Sequence, residues 1–295
     1  MIKSVEEYLN LLKNELQDSD SATIQDALAD AEEHLRAAVT SLRERQPETS
    51  EANALDQVID QYGTPEEISS AYREVERRTI PQFPHENQKN TSMPARFFGV
   101  YADSRAWGAL LYMLIAFVTG VFYFSWAVTG LATSVSFSLF IFGLPFALLF
   151  FLSVRGLALL EGRIVEALLG TRMPRRPLFT RQNQKWIDRL KDLAADKHTW
   201  FSILYMFIQF ILGTIYFVLF VTVLSVSLSF IAIPVLQEWL GMGAIYNNGI
   251  RYFFPIWSYP LLVLGGLLLW TAFMNLARGV GQLHGRMAKS MLVTE

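Results

Sequence analysis

The chain has 295 residues, no cysteine and a formal net charge of −2, which excludes disulfides, thiolate metal sites and cysteine nucleophiles. The small net charge hides an asymmetry, because residues 1–80 hold 18 Asp and Glu against 8 Lys and Arg, whereas the remainder holds 9 against 17. The remainder also has three long uncharged runs, between residues 105 and 155, 197 and 238, and 251 and 278. A helical span needs ~20 apolar residues, so an acidic soluble part is predicted to precede a membrane-embedded part.

The acidic part predicts four short helices. Apolar residues recur every three or four positions in three segments, near 4–17, 23–45 and 51–62, as one buried face of a helix requires. The turn Gly63-Thr64-Pro65 then predicts a helix end followed by an N-cap and a first helical residue. These segments form a small helical bundle over residues 1–79.

The bundle carries three recognisable sequences, Glu7-Tyr8-Leu9, Glu32-Glu33-His34-Leu35 and Gly63-Thr64-Pro65-Glu66-Glu67-Ile68. With them, residues 1–78 resemble the HAAS signalling domain. The resemblance implies a cytoplasmic bundle with a surface for a protein partner. The turn residues also have a purely structural explanation as helix punctuation, so both roles stay open. Proline and polar residues in 80–101 favour an extended linker.

The membrane part contains a duplication. Residues 102–137 recur without a gap at 195–230 with seventeen identities. Later, the sequence Arg-Gly-x-x-x-Leu-x-Gly-Arg begins at Arg155 and again at Arg278. We therefore predict a duplicated membrane domain over residues 102–289, made of two copies of one hairpin.

The first hairpin is predicted as helices near 107–130 and 135–155, joined by a turn at about 130–134, and the second as helices near 200–223 and 258–278. The sequence leaves the conformation of residues 224–236 open between three alternatives: an extension of the third helix, a re-entrant half-helix, or a segment at the membrane interface. The Lys and Arg excess of the central loop and of both flanks predicts four spans in the cell membrane with both termini in the cytoplasm. The fold class is all-α, a small bundle plus two hairpins related as parallel repeats.

The duplicated part resembles the bacterial "putative sensor" membrane domain over about residues 96–285, and the resemblance implies a sensing role. The residues that carry it are Trp107 and Trp200, Leu111-Tyr112 and Leu204-Tyr205, Gly120 and Gly213, Tyr123-Phe124 and Tyr216-Phe217, Gly143-Leu144-Pro145, Arg155-Gly156 and Arg278-Gly279. Domains of this family are best known at the N-terminus of some histidine kinases. We expect no kinase part after Glu295, so the signal is expected to pass through the bundle or a separate partner. Gly120 and Gly213 are expected to allow close helix packing.

Six residues of the repeated Arg-Gly sequences are candidates for binding a lipid head group or an interface: Arg155, Gly156, Arg163, Arg278, Gly279 and Arg286. Arginine presents a bidentate fork to phosphate, and we expect these residues at the cytoplasmic helix ends. Ordinary positive-inside anchoring is the alternative. The repeated glycines favour close approach of some group to the backbone.

Five polar residues inside the predicted spans are candidates for an intramembrane pocket: Tyr112, Tyr123, Tyr205, Gln209 and Tyr216. Bridging between helices is the alternative role. Apart from the arginines at the helix ends, no Asp, Glu, Lys or Arg is expected inside the spans, which counts against ion-coupled transport.

The central loop is predicted to hold an amphipathic segment, 157–169, ended by Gly170. Arg172, Arg175, Arg176 and Arg181 follow it. This basic stretch fits either an anionic leaflet or docking of the acidic bundle, and direct nucleic-acid binding is not expected.

The sequence has no motif of a catalytic, cofactor or metal site, and none of these is predicted. His198 and His284 are interpreted as interfacial residues, and with Asp196 they are weak candidates for an enzyme acting on lipid head groups. We predict a non-catalytic bacterial membrane sensor that responds to a lipid, an apolar compound or the envelope state. The alternative is a transporter component or lipid-handling protein. Expected partners are membrane lipids and a protein bound by the bundle, and an oligomer stays open.

Overall fold

The computed structural model describes residues 2–46, 48–79, 93–138, 143–175, 186–241, 245–247 and 250–293. Within these ranges the regular secondary structure is helical except for one two-stranded ribbon, Ile245–Asn247 and Ile250–Tyr252. The all-α fold class is therefore confirmed.

Four helices form the N-terminal bundle: α1 Val5–Glu15, α2 Ser21–Arg45, α3 Glu51–Tyr62 and α4 Pro65–Thr79. Their bounds agree with the segments predicted from the apolar spacing. The bundle has its own core, in which the side chains of Tyr8, Leu12, Leu35 and Leu55 are fully buried.

The turn before α4 caps this helix and also contacts α1. The Thr64 backbone N–H donates to the Glu67 carboxylate at 2.9 Å, and the Glu67 N–H donates to Thr64 Oγ1 at 3.3 Å. This reciprocal pair is a capping box. The Gly63 carbonyl accepts a hydrogen bond of 2.8 Å from the Tyr8 hydroxyl, and Gly63 has a φ of 113°, which disfavours a side chain there. The turn thus holds α4 against α1.

In the described ranges, six helices follow the bundle: α5 Met93–Phe98, α6 Ser104–Ser138, α7 Gly143–Leu169, α8 Trp186–Ala195, α9 Lys197–Leu240 and α10 Tyr259–Leu292. Four of them, α6, α7, α9 and α10, are long and apolar enough to cross a membrane. This agrees with the four predicted spans. Part of the predicted linker, residues 80–92, lies outside the described residues, and the rest of it is α5 and a short 3-10 turn rather than an extended chain.

The predicted turn at 130–134 is wrong, because α6 continues through it to Ser138. A Cβ on Gly130 would lie 2.1 Å from the Phe150 ring, so this glycine allows α7 to pack closely. The prediction of a separate amphipathic segment at 157–169 is also wrong, since these residues form the second half of α7. Backbone groups that leave a helix in an apolar medium lose their partners at high cost, which favours continuous helices.

Residues 224–236 extend the third span, which was one of the three possibilities. They lie within α9, which accommodates Pro234 and ends at Gly241 in the left-handed region with a φ of 59°. Beyond this end, the Gln237 side chain accepts from the Phe254 N–H at 3.1 Å and so ties the ribbon segment back to α9. Residues 242–244 and 248–249 lie outside the described part of the chain.

The two copies of the repeat contact each other reciprocally across α6 and α9. The Phe117 and Phe217 rings stack with centroids 4.5 Å apart, and the Phe124 and Phe210 rings stack at 4.6 Å. Phe117 and Phe210 are equivalent in the repeat, as are Phe124 and Phe217. One contact is therefore the copy of the other, as in a two-fold interface.

Gly120 and Gly213 are points of close approach between α6 and α9. A Cβ on Gly213 would lie 2.2 Å from the carbonyl oxygen of Ala116, and a Cβ on Gly120 would lie 2.8 Å from that of Gln209. Ala116 and Gln209 are again equivalent positions. Both contacts are with backbone, which cannot move aside as a flexible side chain can.

We expect Gly213→Ala to lower the thermal unfolding temperature of the protein in detergent. Overpacking against fixed backbone costs about 1–3 kcal/mol. Gly279→Ala is the matched control, because no atom of another described part of the chain lies within 4 Å of its added Cβ and alanine favours the helix by about 1 kcal/mol relative to glycine. Equal melting temperatures for the two variants would contradict the close approach.

Candidate functional site

Glu161 and His284 occupy the same position in the repeated Arg-Gly-x-x-x-Leu-x-Gly-Arg sequence. Each stands six residues after the first arginine, Arg155 or Arg278. One copy of the unit therefore supplies an acid where the other supplies a base. The exposed fractions of the two residues are 1% and 2%, so both lie inside the helical core.

Two equivalent tyrosines bridge the acid and the base. The Tyr112 hydroxyl donates to Glu161 Oε1 at 2.7 Å and lies 2.7 Å from His284 Nε2. The Tyr205 hydroxyl lies 3.1 Å from each of the same two atoms. The two hydroxyls are 3.4 Å apart. Each tyrosine thus connects a carboxylate oxygen to an imidazole nitrogen.

A second pair of equivalent tyrosines completes the arrangement from the other side. The Tyr123 hydroxyl donates to Glu161 Oε2 at 3.1 Å, and the Tyr216 hydroxyl lies 3.1 Å from His284 Nδ1. Both carboxylate oxygens and both ring nitrogens therefore have tyrosine partners. We call this set, with Gln209, the Glu–His centre.

Gln209 makes the centre asymmetric. Its amide nitrogen donates to the Tyr112 hydroxyl at 3.1 Å and to Glu161 Oε1 at 3.2 Å, whereas the equivalent residue in the first copy of the repeat is Ala116. The Gln209 side-chain oxygen has no hydrogen-bond partner among the described residues. The extra donor is on the side of the acid, where it stabilises a carboxylate.

The centre holds the acid without a positive side chain beside it. Within the described ranges, Glu161 has only tyrosine and glutamine partners. A buried charge without compensation is costly, so a proton on Glu161 or on His284 is what balances it. An acid and a base joined by two hydroxyls can hold and exchange protons. In the described residues no group of three or more His, Asp and Glu is arranged to hold a metal ion.

The structure places the five predicted pocket residues, Tyr112, Tyr123, Tyr205, Gln209 and Tyr216, together in this centre. They surround two residues that the sequence reasoning missed. Glu161 was assigned to a cytoplasmic segment and His284 to the interface, but both are buried within long apolar helices, α7 and α10, beyond the span ends predicted near 155 and 278. Their shared position in the repeated sequence was the available signal.

The predicted Arg-Gly residues do not lie at the helix ends. Arg155 and Arg278 are inside α7 and α10, and each pairs with the acid that precedes the other copy's first helix. Arg155 contacts Asp196 at 2.8 Å, and Arg278 contacts Asp103 at 3.0 Å. These are again equivalent contacts, which bind one copy of the unit to the other.

The remaining predicted residues of this set face outward. Among the described residues, no atom of another part of the protein lies within 4 Å of a Cβ built on Gly156 or Gly279, so none of them makes the expected close approach. Arg163 contacts Glu166 at 3.2 Å and the Arg175 carbonyl at 3.3 Å, and Arg286 is exposed. Arg176 and Arg181 lie outside the described residues.

The N-terminal bundle meets the membrane helices at a small cavity. The cavity has a volume of about 30 Å³, room for one or two water molecules, and is lined by Gln25 of α2, by Arg155 and Gly162 of α7, and by His198. His198 Nε2 lies 2.8 Å from the carbonyl oxygen of Leu292 near the end of α10. The end of the bundle thus touches the helices that carry Glu161 and His284.

The duplicated set of four apolar helices around a buried polar centre defines the class as an α-helical, multi-pass membrane protein. A family model described as "Putative sensor" matches residues 112–292. The chain belongs to this family, and the matched range contains the whole Glu–His centre. The match does not extend to the N-terminal bundle, so the HAAS resemblance stays a prediction. Comparisons with curated proteins and with solved structures gave no match.

The Asp196 carboxylate makes the stability of the folded protein depend on pH. Burial alone would raise the pKa of its carboxyl, but hydrogen bonds from Thr199 and Arg155 outweigh burial and hold the pKa below its usual range. A lowered folded-state pKa stabilises the protein above the ordinary value near 4, and the stabilisation is lost as the pH falls through the lowered pKa. We expect Asp196→Asn to melt below the wild type at neutral pH and the difference to shrink under acid.

Melting temperatures across the pH range test this expectation. Asparagine keeps a capping oxygen for α9, so the variant isolates the charge. Asp192→Asn on the exposed side of α8 is the matched control and is expected to follow the wild type. A difference between wild type and Asp196→Asn that grows on acidification would contradict the assigned role of the ion pair.

Proposed function

We propose that the protein is a non-catalytic bacterial membrane sensor that signals through its N-terminal bundle. The membrane helices detect a stimulus, and the bundle changes its contact with them and with a cytoplasmic protein partner. Membership of the "Putative sensor" family supports the sensing role. The resemblance of residues 1–78 to HAAS domains supports the bundle as the output part.

The contact between the bundle and the membrane helices carries this proposal. The Lys289 ammonium of α10 pairs with the Asp20 carboxylate at the start of α2. The backbone N–H of Arg175, after α7, donates to the Asp26 carboxylate at 2.6 Å. We call these two interactions the docking contact. Both are polar, and interfaces between domains of one chain commonly allow the domains to move relative to each other.

The docking contact is joined to the Glu–His centre by short stretches of helix. Lys289 follows His284 by little more than one turn of α10. On α7, Gly162 lines the cavity at the bundle and Glu161 is in the centre. A rotation or shift of either helix at the centre is therefore transmitted directly to the end of α2, because helices move as rigid elements.

The proposed arrangement places both termini in the cytoplasm, where the acidic bundle meets the basic ends of the membrane helices. The charge pattern supports this orientation, since residues 1–80 are strongly acidic and the following parts are basic. A bundle released from the docking contact exposes the start of α2, and with it carboxylates that suit a basic partner surface.

We expect Lys289→Gln to release the bundle. Full-length protein in nanodiscs would carry one spin label in the bundle and one near the start of α9, and the distance between them would broaden or lengthen. Asp20→Asn should have the same effect, because asparagine keeps the α2 cap but loses the charge. Lys197→Gln, at an exposed position of α9, is the control expected to keep the docked distance.

The docking contact has no signalling role if the bundle stays docked in both variants, or if release changes no partner binding. Partner binding is read by crosslinking in cells from a site in α3. A wild-type pattern of crosslinks in Lys289→Gln would contradict the proposal even where the distance changes.

The Glu–His centre gives specific support to a second candidate, ion-coupled transport. Ionisable groups inside the spans are typical of proton relays in transporters, and Glu161 and His284 are such groups. Purified protein in vesicles with a pH-sensitive dye tests this candidate. Proton or solute flux that Glu161→Gln abolishes would favour transport, and its absence leaves the sensor as the function.

A further inference from the structure

We propose that the Glu–His centre is a reversible proton-binding site, and that the proton is the ligand through which the membrane domain changes state. This inference deepens the proposed sensor function and rests on it for the step from the centre to the bundle. The site itself rests on geometry alone: an acid and a base, both buried, joined by two hydroxyls.

The hydroxyls allow a proton to pass between the acid and the base. A protonated Glu161 gives its proton to the Tyr112 oxygen, while the proton already on Tyr112 leaves for His284 Nε2. One O–H bond breaks and one forms at the tyrosine, so Tyr112 is unchanged, Glu161 becomes a carboxylate and His284 becomes an imidazolium. Tyr205 offers the same route through distances of 3.1 Å.

The centre can gain or lose a proton without rebuilding its hydrogen bonds. With Glu161 ionised and His284 neutral, the tyrosine hydroxyls donate to the carboxylate and to the free ring nitrogen. With His284 protonated, its N–H donates to a tyrosine oxygen, and the hydroxyl rotates toward Glu161. Both arrangements satisfy the same atoms, because a hydroxyl is a donor and an acceptor.

Few other groups compete for the proton. The titratable side chains facing the pair are Tyr112 and Tyr123 on α6 and Tyr205 and Tyr216 on α9. In the described parts of the chain, no Lys, Arg or Asp side chain hydrogen-bonds or ion-pairs with Glu161 or His284. The charge of the centre is therefore set by its proton count, and each proton changes the charge of a buried site by one unit.

The repeat supplies the reason why the two positions differ. Two acids at the equivalent positions would repel each other when ionised, and so would two protonated bases. One acid and one base instead allow a neutral pair in which the proton resides on either member. The Gln209 amide, which has no counterpart at Ala116, adds a donor on the acid side and so stabilises the state with the proton on His284.

Infrared difference spectroscopy of full-length protein in lipid nanodiscs tests the site. We expect acidification to change a carboxyl stretching band in the wild type, and Glu161→Gln to abolish that change. His284→Gln is expected to move the pH midpoint of the carboxyl band change by about one pH unit or more, which is a tenfold change in proton affinity. Glu166→Gln, also on α7, and His34→Gln in the bundle are the matched controls that keep the wild-type band.

Exchange of the two positions is the sharper test, because it uses the repeat. Glu161→His combined with His284→Glu keeps one acid and one base, and adding Gln209→Ala with Ala116→Gln moves the amide to the new acid. We expect this fourfold variant to regain a midpoint near the wild-type value, whereas Glu161→His alone or His284→Glu alone does not. A titrating band that persists in Glu161→Gln, or an exchanged variant no closer to wild type than its single variants, overturns the proposal.

The distance between the spin label in the bundle and the label near the start of α9, here called the bundle distance, separates this inference from the proposed function when it is measured in the same samples. A bundle distance that follows the band with the same midpoint supports both. A band that titrates normally beside an unchanged bundle distance leaves the proton site standing and refutes output through the bundle. A bundle that responds to pH while no Glu161 band changes refutes the proton site and leaves the sensor function. Misfolded variants are identified by their melting curves. If the variants misfold, the wild-type protein with isotope-labelled tyrosine is measured instead: tyrosine bands that change with the carboxyl band support the proton site, and unchanged tyrosine bands overturn it.

Discussion

The burial of one carboxylate without a cation governs the arrangement of the membrane helices. Glu161 is inside the core, where an isolated charge is too costly to keep. The described structure meets this constraint with three tyrosine hydroxyls and one amide around the carboxylate, and with His284 on the far side of two of those hydroxyls. Three neighbouring helices must therefore lie at fixed distances from α7, and the centre determines how the two hairpins meet.

Duplication accounts for the form of the contacts around that centre. The stacked phenylalanines, the glycine contacts and the Arg–Asp pairs each occur twice, once in each direction between the copies. Such an interface is self-complementary, so a single set of residues serves both sides. The two copies differ within the centre, where Glu161 corresponds to His284 and Gln209 corresponds to Ala116. The centre is therefore asymmetric although the contacts around it are symmetric.

The N-terminal bundle and the number of spans could be predicted because they follow from local patterns. Apolar spacing and the Thr64 capping box predicted the bounds of the bundle helices within a few residues. The length of the uncharged runs predicted the number of long apolar helices. The helix ends inside the membrane could not be found this way. Gly130 and Pro234 usually interrupt helices in water, but in an apolar surrounding an unpaired backbone costs more than either residue does. Arg155 was predicted at a helix end for a different reason, because its partner Asp196 is distant in the chain and no local pattern reveals the pair.

The sequence alone determined that the chain has a duplicated membrane part, an acidic helical bundle and a set of tyrosines on the inner helix faces, because composition, period and repetition are local properties. Only the tertiary structure decided which charged groups are buried together. Glu161 and His284 are more than a hundred residues apart, and each taken alone is typical of a polar helix end. Their burial depends on how α7 and α10 cross α6 and α9, and that crossing is set by packing between distant residues.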